Sequence, residues 1–190
     1  EGYMVKFLIG GSPCTYWSIA KKEGRETEAE GIGWELFKNY LIAKEKFRPD
    51  FFLYENNKSA ARPIKDQIAQ SLGYPLQYIN SSLVSAQNRP RFYVHNIPNV
   101  ELPKDRNLHI SDILEQEPVD KRFYFTDKTY QSVQKILARS KAKGLGFRSG
   151  IISDFEHSKF LNLDAHYHKG PDGKRTMFQV GGAVPDGYPD

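Results

Sequence analysis

An apolar run, Val5 to Ile9, stops at Gly10-Gly11, and Ser12-Pro13 then lead into Cys14, the one cysteine among 190 residues. The run has the length and composition of a strand. A strand that ends on glycines and hands its next polar residue to a loop narrows the fold sharply. Open α/β sheets build their sites in this way, at the carboxyl ends of strands. A thiol placed there, behind a proline that sets the turn, is a candidate nucleophile. Taken alone, a single cysteine is more often a small buried apolar residue. Two later segments, Glu55-Asn56-Asn57 and Gln87-Asn88-Arg89-Pro90-Arg91, shift the balance towards chemistry.

The order of elements after Cys14 supports the same fold class. Residues 15–33 are polar and rich in Lys, Glu and Gly; Thr15-Tyr16-Trp17-Ser18 places two aromatics just after Cys14, and Lys21–Gly33 lacks periodicity, as in a mobile loop that can act as a lid. From Trp34 to Phe47 the residues Leu36, Phe37, Tyr40, Leu41, Ala43 and Phe47 recur at helical spacing, and Arg48-Pro49 closes the helix. Phe51 to Tyr54 is a second buried strand, running straight into Glu55. Pro63 to Leu72 reads as a helix with proline in its first turn and Gly73 at its end. Leu76–Ile79 and Phe92–Val94 are two further short strands. Strand, helix, strand, helix, strand is the doubly wound α/β pattern.

After Pro98 the character changes. Residues 99–120 mix Pro, Asp and Glu around one short apolar helix, Ile110–Leu114, with Ser111-Asp112 as its cap. A second helix is expected over Tyr124–Arg139. Lys121, Arg122, Lys128, Lys135, Arg139, Lys141, Lys143 and Arg148 stand there against Asp127 alone. Such a run is ordinarily a solvated face, and beside a nucleic-acid enzyme it becomes a phosphate-contact surface. The remaining tail, Phe160–Tyr188, is glycine-rich with short strand-like pieces.

Composition bounds the rest. A hydrophobic share of 39% and a charged share of 26% are ordinary for a folded domain. A net charge of +4 tilts towards anionic partners. One cysteine excludes an internal disulfide and a cysteine-cluster metal site, and it fits a reducing cytoplasm. No apolar run approaches membrane-spanning length. His166-Tyr167-His168 with His157 has spacing that a metal site could use, but polar surface residues explain it more simply. The first strand begins within a few residues of position 1, so the chain is expected to be one part of a larger sheet.

The three polar segments suit one chemistry. If the strands ending at Cys14 and Glu55 are parallel neighbours, thiol and carboxyl lie side by side. At the rim of a sheet Glu55 is partly desolvated, which suits it to hold or donate a proton near neutral pH. Arg89 and Arg91, in an extended segment, point to one side and can hold an oxygen by forked hydrogen bonds. Thiol, acid and arginines fit nucleophilic attack on an electron-poor heteroaromatic ring. A cysteine hydrolase would instead call for a histidine base, and His95 beyond a strand gives that reading no support.

In order and spacing, Gly10-Gly11-Ser12-Pro13-Cys14, Tyr54-Glu55-Asn56-Asn57 and Asn80 to Tyr93 resemble the central motifs of DNA (cytosine-5) methyltransferases, most of all those of phages and bacterial mobile elements. The resemblance implies a Rossmann-like methyltransferase sheet followed by a small irregular α+β target-recognition region. It implies residues 1–100 as the catalytic part and 101–190 as linker and part of the recognition region. It implies Cys14, Glu55, Arg89 and Arg91 as catalytic residues. Cys14 attacks carbon 6 of a cytosine flipped out of the duplex. Glu55 contacts ring nitrogen 3 and the exocyclic amine, and Arg91 with Arg89 holds the base oxygen. Ser12, Asn56 and Gln87 are implied as substrate-binding and Pro13 as cofactor-binding. The implied methyl donor is S-adenosyl-L-methionine, the implied partner double-stranded DNA, and the implied setting restriction-modification or phage DNA methylation.

The sequence departs from the common pattern at Thr15, where glutamine is usual, and at Asn57, where valine is usual. Neither removes a reacting atom. The family's glycine-rich cofactor loop and first three strands precede the position of Gly10, so this chain is expected to be the middle of such an enzyme. A second chain supplying the cofactor-binding strands is then an expected partner. The competing expectation is a catalytically silent or split relative that binds DNA or a partner chain. Binding of S-adenosylmethionine without a partner separates the two.

Overall fold

The computed structural model describes residues 2, 4–19, 21, 23–114, 126–144, 151–152, 154–160 and 177–178. The chain divides into two compact units, Glu1–Asn80 with Pro90–Pro103, and Ser81–Arg89 with Lys104–Asp190.

The first unit is a four-stranded sheet with two helices. Its strands are β1 (Phe7–Gly10), β2 (Phe51–Asn57), β3 (Gln77–Asn80) and β4 (Pro90–His95), in the order β1-β2-β4-β3. The helices α1 (Gly31–Phe47) and α2 (Arg62–Leu72) follow β1 and β2. β1 and β2 are parallel, with Gly10 opposite Tyr54. β4 is antiparallel to both β2 and β3, so β2 and β3 run the same way. The sheet is therefore mixed α/β and not parallel throughout. The cause is the link from β3 to β4, which lacks the dozen or more residues that a parallel crossover needs.

Burial alternates along β2: Phe52, Tyr54 and Asn56 are buried, while Phe51, Leu53 and Glu55 on the other face are partly exposed. Phe52 and Tyr54 join Phe92 and Val94 of β4 in one apolar cluster with Phe37 and Tyr40 of α1 and Ile64, Ile68 and Leu72 of α2. Each such side chain contributes about 1.5–3 kcal/mol of burial. α1 ends with Arg48 in the left-handed region (φ 48°), its N–H bonded to the Lys44 carbonyl, and α2 ends with Gly73 (φ 79°) in the same way. The opposite face of β1 carries Phe7 and Ile9, 54% and 71% exposed.

In the second unit, Ser81–Leu83 and Ile110–Asp112 are single 3-10 turns. The expected short helix at Ile110 is only this turn. Asp112 closes it by accepting the His109 N–H at 2.7 Å. Backbone hydrogen bonds stitch three segments together: Phe160 to Ala86, Asn88 to Phe160, Ile110 to Ser158 and Arg106 to Leu83. α3 (Asp127–Ala142) begins after Thr126, whose hydroxyl accepts the Thr129 N–H at 3.3 Å. Tyr124, part of the expected helix, lies outside the described residues. β5 (Ile151–Ile152) and β6 (Met177–Phe178) form a parallel pair; most of the expected strand-like tail lies outside the described residues.

Candidate active site

The parallel pairing of β1 and β2 brings their carboxyl ends together. Gly11 lies so close to β2 that a Cβ on it would sit 2.3 Å from the Glu55 carbonyl oxygen and 3.6 Å from Glu55 Oε2. Only glycine fits there. Two residues on, Pro13 leads into a 3-10 turn, Cys14–Tyr16. Cys14 is exposed. Its carbonyl accepts the N–H groups of Trp17 (3.1 Å) and Ser18 (2.9 Å). The thiol is thus held at the first residue of a closed turn, accessible to a substrate, with the Glu55 carboxylate beside the same loop.

Glu55 does not rely on its position at the rim alone. Its Oε1 lies 2.7 Å from Arg91 Nε. The Arg91 side chain is 9% exposed and that of Glu55 35%. Arg91 also donates from Nη1 to the Pro90 carbonyl at 2.9 Å. It reaches this place because β4 is an inner strand, with Arg91 opposite Asn57 on one side and Ile79 on the other. A planar guanidinium held at two points fixes the carboxylate it pairs with.

Ser12 and Asn56 belong to a different arrangement. Asn56, 2% exposed, donates from Nδ2 to the Ser12 carbonyl at 2.9 Å and to the Tyr54 hydroxyl at 3.0 Å. The Tyr54 hydroxyl lies 2.7 Å from Ser12 Oγ. The Asn56 carboxamide oxygen accepts the Asn57 N–H at 2.7 Å, which fixes which end of the amide faces Ser12. Burial, the main influence, raises the Tyr54 hydroxyl above the ordinary tyrosine range, against the lowering effect of its bonds to Ser12 and Asn56. Tyr54 carries no signal in the sequence beyond its place before Glu55.

Gln87 and Arg89 belong to the second unit. Gln87 forms a bridge with Phe160, and its carbonyl accepts the Ser81 hydroxyl at 2.8 Å. Arg89 is exposed and lies just before β4, which begins at Pro90.

After Cys14, the described residues Trp17, Arg25 and Glu26 make contacts that tie the segment to its surroundings. Trp17 is fully buried, and its Nε1 donates to Glu26 Oε2 at 3.0 Å. The Glu26 carboxylate also accepts the Gly33 N–H in the first turn of α1 at 3.1 Å. A Cβ on Gly33 would lie 2.5 Å from Trp17 Nε1. Arg25 donates from Nη2 to the Ser59 carbonyl at 2.6 Å and from Nε to the Trp17 carbonyl at 3.1 Å. Isolated anchors of this kind leave no periodicity to read.

On α3, Lys128, Lys135 and Arg139 are exposed and spaced to share one helix face, with Lys143 following in the next turn; Val133 is buried. Lys121, Arg122 and Arg148 lie outside the described residues. His157 bonds through Nδ1 to Asp154 at 3.0 Å, while His166 and His168 lie outside the described residues. Among the described residues no cluster of three or more metal-binding side chains occurs, and no helix is long and apolar enough to cross a membrane.

Comparison with known proteins meets this geometry. The chain is 27% identical to the type II methyltransferase M.NlaX of Neisseria lactamica, over 94% of this chain and 60% of that protein. It is 28% identical to the type II methyltransferase M.HpaII of Haemophilus parainfluenzae, over 77% of this chain and 46% of that protein. It is 30% identical to the orphan methyltransferase M.SPRI of Bacillus phage SPR, over 47% of this chain and 22% of that protein. The chain thus spans between about half and three-fifths of the first two relatives. The model of the C-5 cytosine-specific DNA methylase family matches residues 2–181, and this chain belongs to that family.

Proposed function

We propose that this chain carries the cytosine-activating machinery of a DNA cytosine-5 methyltransferase. The observation that carries the reading is the Glu55–Arg91 pair at 2.7 Å, which ties β4 to the strand whose end packs against the Cys14 loop. In a member of this family, that pair is placed to receive an extruded cytosine. The Cys14 thiolate forms a bond to carbon 6. The electrons of the C5–C6 double bond shift towards nitrogen 3, which takes up a proton from solvent relayed through Glu55. Arg91 holds Glu55 and bonds the exocyclic oxygen of the base. Carbon 5 is then a nucleophile. After it has been methylated, carbon 5 loses its proton to water, the C–S bond breaks as nitrogen 3 gives its proton back through Glu55, and the double bond and the thiolate return. Arg89 is a catalytic candidate on the resemblance alone, and so is Gln87 as a substrate contact.

S-adenosylmethionine, the family's methyl donor, supplies the group that carbon 5 receives. Of the residues expected to bind it, this chain provides Pro13, exposed and without a polar side chain to hold a ribose or adenine. β1 is the end strand of the four-stranded sheet, and its exposed Phe7 and Ile9 suit pairing and packing with further cofactor-binding strands, from the same polypeptide or a second chain.

The second unit is read as part of the target-recognition region. The cationic face of α3 fits the phosphate backbone of double-stranded DNA, a contact that positions the protein without reading bases. The test of the whole reading is covalent trapping by DNA containing 5-fluorocytosine, with S-adenosylmethionine, and with or without a separate polypeptide supplying the cofactor-binding strands. An adduct on Cys14 supports it; no adduct in either case favours a silent relative.

A further inference from the structure

We infer that Tyr54 is a positioning residue for the nucleophile, acting through Ser12 and Asn56; this rests on the reading of Cys14 given above. The tyrosine ring is held rigidly. It meets Phe37 edge-on at 5.2 Å and Tyr40 edge-on at 5.0 Å, and it is fully buried. Its hydroxyl therefore occupies one place. From there it meets Ser12 Oγ at 2.7 Å and Asn56 Nδ2 at 3.0 Å. Asn56 in turn holds the Ser12 carbonyl at 2.9 Å.

The donor count closes. Asn56 Nδ2 can only donate, and it faces the Ser12 carbonyl (2.9 Å), the Tyr54 hydroxyl (3.0 Å) and Ser12 Oγ (3.2 Å); with its two protons on the two shorter contacts, the Tyr54 oxygen accepts and its own proton goes to Ser12 Oγ. Ser12 is thus gripped at its carbonyl and its hydroxyl. Pro13, with its φ fixed, transmits that grip to Cys14. Gly11, on the other side, is pressed against the Glu55 backbone. The segment from Gly11 to Cys14 is set against β2 by buried groups, and Tyr54 is the rigid member. This arrangement places Ser12 and Asn56 behind the nucleophile and assigns them to holding it.

The experiment uses the assembled protein and duplex DNA carrying 2-pyrimidinone in place of cytosine, a ring that adds a thiolate at carbon 6 without any methyl donor. Tyr54→Phe keeps the ring and removes only the hydroxyl. At saturating DNA, it is expected to form the Cys14 adduct roughly tenfold more slowly, a loss of alignment, with DNA affinity unchanged. Tyr40→Phe removes a hydroxyl from the same cluster, one bonded to the Leu8 carbonyl at 3.3 Å, and is expected to trap at the unaltered rate. Ser12→Ala added to Tyr54→Phe should slow trapping little further, because both break one linkage. Equal trapping by Tyr54→Phe and the unaltered protein overturns the positioning role while leaving Cys14 as nucleophile. Equal slowing by Tyr40→Phe also overturns it, since the effect is then one of core stability. Absence of an adduct from the unaltered protein overturns the functional reading itself.

Discussion

Arg91 and Glu55 meet at 2.7 Å with the arginine almost wholly buried and the glutamate about one-third exposed. Removing the arginine leaves a half-buried carboxylate without its cation. The expected result for Arg91→Ala is a roughly 100-fold slower adduct with 5-fluorocytosine DNA, on the scale of a lost positioning contact. Folding is retained at a cost of about 1–3 kcal/mol, less than for a fully buried pair. Urea unfolding and trapping rates measure the two effects separately. Arg91→Lys should recover stability better than rate, because an ammonium lacks the planar fork.

Gly11 gives a sharper steric expectation. A methyl group there would collide with the Glu55 carbonyl oxygen. Gly11→Ala should destabilise the first unit by about 1–3 kcal/mol, the range for overpacking, and abolish trapping, as thermal unfolding and adduct mass would show. Normal trapping would mean that the loop does not press on β2.

The sequence exposes the parts of this arrangement that repeat. Strands, helices and the positions of Cys14, Glu55 and Arg91 follow from apolar runs, turn residues and three ordered motifs. The antiparallel setting of β4 was less legible, because it depends on how far the Ser81–Arg89 link can reach and not on the composition of β4 itself. The contacts of Trp17, Arg25 and Glu26 were hidden for a different reason. Trp17, Arg25 and Glu26 act singly, through partners distant in sequence, and leave no pattern. The role of Tyr54 is likewise invisible until its hydroxyl is placed against Ser12.

Glu26 tests those contacts. Its carboxylate joins Trp17 to the first turn of α1. Glu26→Ala should cost about 1–3 kcal/mol, because the buried Trp17 N–H loses its partner. Trypsin should then cut faster after Lys21 or Arg25. Unchanged cleavage would show that the latch does not hold the loop.

Alkaline stability follows from Tyr40 and Tyr54. Burial raises both hydroxyls above the ordinary tyrosine range. The folded state therefore keeps their protons longer than the unfolded chain. Their contribution is fully present below the unfolded value, about 10, and is lost as pH rises through the folded values. Of the 11 tyrosines, these two should ionise late in an ultraviolet titration, and Tyr54→Phe should remove one late component. Early ionisation of all would contradict their burial.

The cationic face of α3 predicts a salt effect. Lys135→Ala with Arg139→Ala should weaken binding alike on all DNA sequences. The slope of log affinity against log salt should fall by about 0.9 for each phosphate contact removed. Fluorescence anisotropy across a salt series measures it, and an unchanged slope would remove α3 from the DNA surface.

The most direct test of the central claim is the mass of a denaturation-resistant adduct between this protein, with its cofactor-binding strands present, and 5-fluorocytosine DNA plus S-adenosylmethionine. The expected result is one DNA strand attached at Cys14, absent from Cys14→Ser while that variant remains folded. An adduct that persists in Cys14→Ser, or none from the unaltered protein, would contradict Cys14 as the nucleophile of a cytosine methyltransferase.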